Sequence, residues 1–301
     1  MNQNLNITHS ASFGYKAKLR DFSQLIKVRL NLTVVFSTFI GFLLGMQGHV
    51  QWMDLLIVCA GGFLTVGAAN GINQIIERDS DKLMRRTENR PLAQNRMGVT
   101  EAAIISLVLG AAGVILIAYF LTPLCGILSF LSLITYGFIY TPLKKVTPLA
   151  VYIGAFPGAV SPIIGYVASH GHLDILALCL FIIQFAWQFP HFYSIAWLLD
   201  DDYKRAGLKM MPLFAQKDKA GALQIVFFTG ILLPLSFLTY YLGIGSIWSN
   251  IILELCSLYF FYRSVMLLKD LSNTSAKGLM FTSFFYLPLV FVIMLIDKLI
   301  R

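Results

Sequence analysis

Residues 55–81 read LLIVCAGGFLTVGAANGINQIIERDSD, and residues 82–92 continue KLMRRTENRPL. A long apolar run ends in a polar stripe. Asn73, Glu77 and Asp81 are spaced i, i+4 and i+8, which on a helix stacks three oxygen-bearing side chains on one face. Asp79 and Arg78 point off that face and read as a solvated helix end. Asn70 and Asn73 lie among apolar residues at membrane depth, where a buried polar group is costly and marks function by default. Arg85, Arg86 and Arg90 follow, with a stop at Pro91. Oxygen ligands suit a hard cation such as Mg²⁺, and guanidinium groups suit phosphate oxygens. Together they predict a Mg²⁺-bridged diphosphate at a membrane surface, with its tail in lipid.

The rest of the chain fits that setting. Of 301 residues, 57% are hydrophobic and 13% charged, with mean hydropathy +0.72. A soluble protein of this length could not bury so much apolar surface. The apolar runs are continuous rather than alternating, so they read as helices and not as barrel strands. Nine segments of spanning length are expected, near 30–47, 54–76, 99–121, 123–141, 148–168, 173–197, 221–241, 244–266 and 278–297. The expected fold is an all-α integral membrane protein.

Charge sets the expected orientation. Of the 23 Lys and Arg residues, only Lys298 and Arg301 fall outside one alternating set of segments. Loops near 48–53, 122, 169–172 and 242–249 carry none. The positive-inside rule places the N-terminal segment 1–29 and the polar stripe on the cytoplasmic face, and the C-terminus outside. The net charge of +8 follows from that topology. It does not predict nucleic-acid binding, because the basic residues are spread between spans. Cys59, Cys125, Cys179 and Cys256 are isolated and read as packing residues. Residues 1–30 lack an apolar core, so no cleavable signal peptide is expected.

A second polar cluster ends the sixth span: His191-Phe192, then Asp200-Asp201-Asp202-Tyr203. His191 and Asp202 stand 11 residues apart, about three helical turns, and are expected to share a face. Gln184, Gln188 and Pro190 nearby point to a cavity wall. An offset of 121 maps Asp81 onto Asp202 and Pro91 onto Pro212. One domain over 1–301 is expected, with parallel four-helix halves at about 54–168 and 173–297 around a central cavity. In the loop 140–147, Lys144 is within reach of a diphosphate beside Tyr140, while Lys145 fits ordinary topology. Lys27 and Arg29, where span 1 begins, join Asn70, Arg85, Arg86, Arg90, Tyr140 and Lys144 as candidate substrate contacts. Some of the many aromatics have π faces suited to stabilising an allylic cation.

These strings resemble the UbiA superfamily of intramembrane prenyltransferases, with nine transmembrane helices and two acidic motifs. The closer resemblance is to its haem-farnesylating branch. It rests on Asp79-Ser80-Asp81-Lys82-Leu83-Met84-Arg85-Arg86-Thr87, Asn89-Arg90-Pro91-Leu92, Tyr140-Thr141 before Leu143-Lys144, and His191-Phe192 before Asp202-Tyr203. The similarity runs from about Lys27 to the last span. Glu77 stands where the superfamily has Asp, and Leu198 breaks its second D-x-x-x-D motif.

The resemblance implies Mg²⁺ on Asn73, Glu77 and Asp81, with Asp202 helping and His191 catalytic. It also implies farnesyl diphosphate and haem B as substrates, the bacterial inner membrane as the site of action, and haem A synthase as a partner. Two alternatives stay open: prenylation of an aromatic quinone precursor, and transport. Transport predicts ionisable residues deep in several spans, whereas most here gather at one face.

Overall fold

A computed structural model describes residues 3–213 and 215–301. The described residues form helices and connecting turns, and nine of the helices are long and apolar enough to cross a membrane. This is the arrangement of a multi-pass membrane protein. The spans are α2 (Val28–Gly45), α3 (Trp52–Asp81), α4 (Val99–Phe120), Pro123–Leu143, α7 (Ala150–His170), α8 (Ile175–Leu198), α10 (Lys219–Tyr241), α11 (Ile247–Asp270) and α12 (Asn273–Ile300). Each lies within a few residues of its expected segment.

Three features were not expected. A helix, α1 (Gln3–Leu25), precedes the first span and turns into it at Lys27, which adopts a left-handed φ of 49°. The fourth span is composite: α5 (Pro123–Ile134), a π-helical turn (Thr135–Tyr140), then the short α6 (Thr141–Leu143). The sixth span stops at Leu198, and Asp200–Arg205 form a separate short helix, α9.

Packing is closest where side chains are smallest. α2 crosses α7 with Gly41 against the carbonyl of Pro162 and Gly165 against the backbone of Thr38 and Phe42. Small residues let membrane helices approach this closely, and van der Waals contact then supplies much of the association. Pro162 has no N–H, so the carbonyl of Gly158 loses its helical donor. Gln184 Nε2 from α8 donates to that oxygen at 2.7 Å, and Ser161 Oγ donates to it at 2.7 Å. Gln184 thus satisfies the carbonyl that Pro162 leaves free and fastens α8 to α7.

The larger core cluster, with Phe189, Tyr193, Trp197 and Phe291, joins α8, α10, α11 and α12 to α2 and α7, while a second, with Phe42 and Ile117, joins α2, α3, α4, α5 and α7. Lipid-facing positions such as Leu107, Phe227 and Phe285 are exposed, as spans in a bilayer require.

Candidate active site

The C-terminal half of α3 carries the site. Asn70, Asn73, Gln74, Glu77 and Asp81 are all buried. The face expected from the i, i+4, i+8 spacing exists, and a cation or a cation-bearing segment meets each step of it. Lys27 Nζ donates to Asn73 Oδ1 at 2.8 Å. Lys144 forms an ion pair with Glu77. Arg90 Nη1 donates to both oxygens of Asp81 at 2.8 Å. Three basic side chains therefore face two carboxylates and one amide at the stripe.

Each cation has its own mounting. Gln74 Nε2 donates to the carbonyls of Gln24 and Leu25 at 2.7 and 2.8 Å, which pins the α1–α2 joint that presents Lys27. Asn70 Nδ2 donates to Ile26 O at 3.4 Å in the same joint. Arg96 reaches Asp21 of α1 and the carbonyl of Asn89, both at 3.0 Å, and so closes the loop that carries Arg90. Thr87 Oγ1 donates to the Asp81 carbonyl at 3.0 Å and turns that loop back beneath α3.

Lys144 follows the π-helical turn and lies 4.6 Å from the centroid of the Tyr140 ring. Thr141 Oγ1 donates to Tyr136 O at 2.8 Å, and Asn73 Nδ2 donates to Thr141 Oγ1 at 3.2 Å. The turn is thus coupled directly to the polar stripe, a common use of π-helical geometry at functional sites. Burial pushes the Lys27 ammonium well below the ordinary lysine range; Arg90 and Lys144 push the same way, against Glu77 and Asp81.

An apolar cavity of about 170 Å³ opens beside the stripe. Its wall includes Asn70, Tyr136, Tyr140, Gly154, Gln188 and Phe192. Asn70 and Tyr140 belong to both the cavity and the charged end. The apolar cavity and the cationic end are thus neighbours that share the Asn70–Tyr140 wall, the order that a diphosphate with a hydrocarbon tail requires.

Other expected residues lie elsewhere. Arg29, Arg85 and Arg86 are exposed to the surroundings. Asp202 is held by Arg205 on its own short helix, and Arg205 Nε donates to Leu83 O at 3.3 Å, which brings α9 against the end of α3. The shared face of His191 and Asp202 is a correction. α8 ends at Leu198, and Leu199, at φ −106° and ψ 16°, breaks the axis between them. His191 Nδ1 pairs with Ser283 Oγ of α12 at 2.8 Å, and its ring stacks on Trp187 at 4.7 Å between centroids. The ring faces α12, while Phe192 and Gln188 line the cavity.

Gln74, Thr141 and Tyr136 were missed. A signal existed for two of them: Gln74 is a third amide in the same apolar run, and Tyr136 precedes Tyr140 by four residues. Thr141 stood only within the Tyr140-Thr141 string of the resemblance, without a role, because its role depends on the π-helical turn.

The donor set at the stripe is entirely oxygen: an amide carbonyl and two carboxylates. That set fits a hard divalent cation and not a thiophilic metal.

Comparison with known proteins agrees with this geometry. The profile of the UbiA prenyltransferase family matches residues 34–287. A curated relative from Cytophaga hutchinsonii, named protoheme IX farnesyltransferase, is 45% identical over 94% of this chain and 99% of its own length. One of the same name from Koribacter versatilis is 36% identical over 95% of each chain. Among solved structures, a UbiA homologue from Archaeoglobus fulgidus bound to GPP and Mg²⁺ superposes with a TM-score of 0.71, covering 91% of this chain and 99% of that one, at 15% identity. A digeranylgeranylglyceryl phosphate synthase structure gives 0.79, covering 95% and 100%, at 21% identity. With its nine spans, its polar stripe and these relatives, this transferase belongs to the UbiA prenyltransferase family.

Proposed function

We propose that this chain transfers a farnesyl group from farnesyl diphosphate to a vinyl group of haem B, giving the hydroxyethylfarnesyl haem, haem O. The observation that carries the chemistry is the one-to-one pairing of Lys27, Lys144 and Arg90 with Asn73, Glu77 and Asp81 beside an apolar cavity. The acceptor is taken from the name shared by the close relatives.

Asn73, Glu77 and Asp81 would hold Mg²⁺, with Asp202 as an auxiliary carboxylate if Arg205 releases it. Bound Mg²⁺ supplies positive charge against the departing diphosphate. Lys27, Lys144 and Arg90 lie within the same site and bind the phosphate oxygens, with Arg85 and Arg86 at its rim and Arg29 at the start of span 1. These groups are in position before substrate arrives, so little reorganisation accompanies bond cleavage.

The C–O bond of farnesyl diphosphate breaks and its electron pair leaves with diphosphate. Tyr136, Tyr140 and Phe192 surround the allylic cation with π faces and exclude water. The haem vinyl carbon supplies the electrons of the new C–C bond. Water then adds to the carbon next to the porphyrin and releases one proton, so atoms and charge balance. His191 anchors α8 to α12 through Ser283 and so positions the cavity wall behind Phe192 and Gln188.

The charge asymmetry of the loops supports a site at the cytoplasmic face of the bacterial inner membrane, with the N-terminus inside. Haem A synthase is the proposed recipient of the product. The 121-residue offset between Asp81 and Asp202 supports reading the helices as two parallel halves, about 54–168 and 173–297. The test is acceptor choice: purified protein with farnesyl diphosphate and Mg²⁺ receives haem B or 4-hydroxybenzoate. Farnesylated haem alone supports the reading; a farnesylated benzoate without haem O overturns it.

A further inference from the structure

The opposite end of the bundle holds a second cluster of metal-binding chemistry. α3 rises about 43 Å between Trp52 and Asp81, at about 1.5 Å per residue. The cluster lies beyond its N-terminal end, at the turn between α7 and α8. It comprises His170, His172 and Asp174, whose ligand atoms all lie within 4.8 Å of one another. Gly171, at φ 91°, makes the left-handed turn that brings the three side chains of this alternating triplet together.

Asp174 is held from outside the triplet. Its Oδ1 accepts from Ala177 N at 3.0 Å and caps α8, and its Oδ2 accepts from the Tyr166 hydroxyl at 2.6 Å. The carboxylate is thereby fixed in place. Partners of this kind orient the ligands of metal centres.

The imidazole of His170 is fixed in the same way. Its Nδ1 lies 3.1 Å from the carbonyl oxygen of Gly45, at the end of α2. A carbonyl only accepts, so Nδ1 carries a proton. The exposed Gln47 amide lies 3.3 Å from the same nitrogen and meets it with its oxygen in one of its two interchangeable orientations.

In the neutral ring Nε2 then carries a lone pair. It faces Asp174 Oδ2 at 3.3 Å, an oxygen that already accepts from Tyr166. Two electron-rich atoms at that separation call for a positive centre between or beside them. A proton on Nε2 is one solution. The ring of His172, 4.5 Å away between centroids, adds a third ligand atom to the same spot and makes a shared metal ion the better one.

We propose that His170, His172 and Asp174 bind a divalent transition-metal ion of the zinc class, which clips the α7–α8 turn to the end of α2. Two imidazoles and one carboxylate suit Zn²⁺, with solvent completing the tetrahedron on the exposed side of His172. The ion would be structural. It sits at the far end of the bundle from the polar stripe and is separate from the Mg²⁺ expected there.

The experiment uses the full chain in detergent, purified through a tag without histidine and stripped with EDTA. Zn²⁺ is titrated by calorimetry, and Co²⁺ is added separately so that its visible d–d absorption reports tetrahedral coordination. Wild type is compared with His172→Gln, an exposed change that leaves the helix caps intact, and with Asp174→Asn. The expected result is one Zn²⁺ of the tighter class per wild-type chain, Co²⁺ bands of tetrahedral intensity, and at least about tenfold weaker binding in His172→Gln. Prenyl transfer by His172→Gln should match wild type and certify its fold. Equal Zn²⁺ affinity in wild type and both variants, or wild type with no tetrahedral Co²⁺ spectrum, overturns the proposal and leaves a protonated His170–Asp174 pair.

Discussion

One nitrogen of Arg90 binds both carboxylate oxygens of Asp81 at 2.8 Å, nine residues apart in sequence and joined across the turn that follows α3. The Asp81 side chain is fully buried and that of Arg90 is 17% exposed. Removing one partner of such a pair strands the other. Arg90→Ala should therefore cost about 3–5 kcal/mol of stability as well as weakening substrate binding. Adding Asp81→Asn to Arg90→Ala should recover much of the stability and none of the turnover. Thermal unfolding in detergent, with Michaelis kinetics on both variants, checks this. If the double variant is no more stable than Arg90→Ala, the pair is not the source of the loss.

Asp81→Asn alone keeps the side-chain volume and removes the charge. It should lower turnover at least about a hundredfold while leaving membrane insertion unchanged, because the lost group neutralises charge at the reacting centre. Yield in membranes and initial rate are the two readings. A normal rate would remove Asp81 from the chemistry.

Lys27 supplies a pH test. Its pKa is depressed by burial, so over the window between its folded and unfolded values the unfolded chain binds the extra proton. Stability then rises with pH across that window, up to the ordinary lysine range. The difference in melting temperature between wild type and Lys27→Met, followed from neutral to alkaline pH, should shift in favour of wild type. A pH-independent difference would mean that Lys27 keeps its ordinary value.

The α2–α7 crossing makes a packing prediction. A Cβ added at Gly165 meets the backbone of Thr38 and Phe42, which cannot move aside, whereas one added at Gly62 meets open space. Gly165→Ala should destabilise by at least about 1–3 kcal/mol. Gly62→Ala in α3 should be neutral or stabilising by up to about 1 kcal/mol. Equal melting temperatures for the two variants would contradict the crossing.

Much of this was legible in the sequence because hydrocarbon permits few solutions. A run such as 55–69 must be a helix, and the regular spacing of Asn73, Glu77 and Asp81 then fixes a face. The pairing partners were not legible. Lys27, Arg90 and Lys144 were recognised as basic, but which acid each meets depends on loops folded back by Thr87, Gln74 and Arg96. His191 and Asp202 failed for a related reason. Their spacing assumes one unbroken helix, and no proline or glycine between Leu198 and Asp200 announces the break. The π-helical turn at Thr135–Tyr140 has no sequence signature of its own, so the contact of Thr141 with Asn73 was not legible.

The most direct test of the central claim is single-turnover transfer from farnesyl diphosphate to haem B by purified protein, with haem O counted by mass spectrometry in wild type and Glu77→Gln. Glu77 sits between the other two steps of the stripe and pairs with Lys144. The account predicts Mg²⁺-dependent haem O from wild type and at least about a hundredfold less from Glu77→Gln at equal folded protein. Equal product from both, or product without a divalent cation, would contradict it.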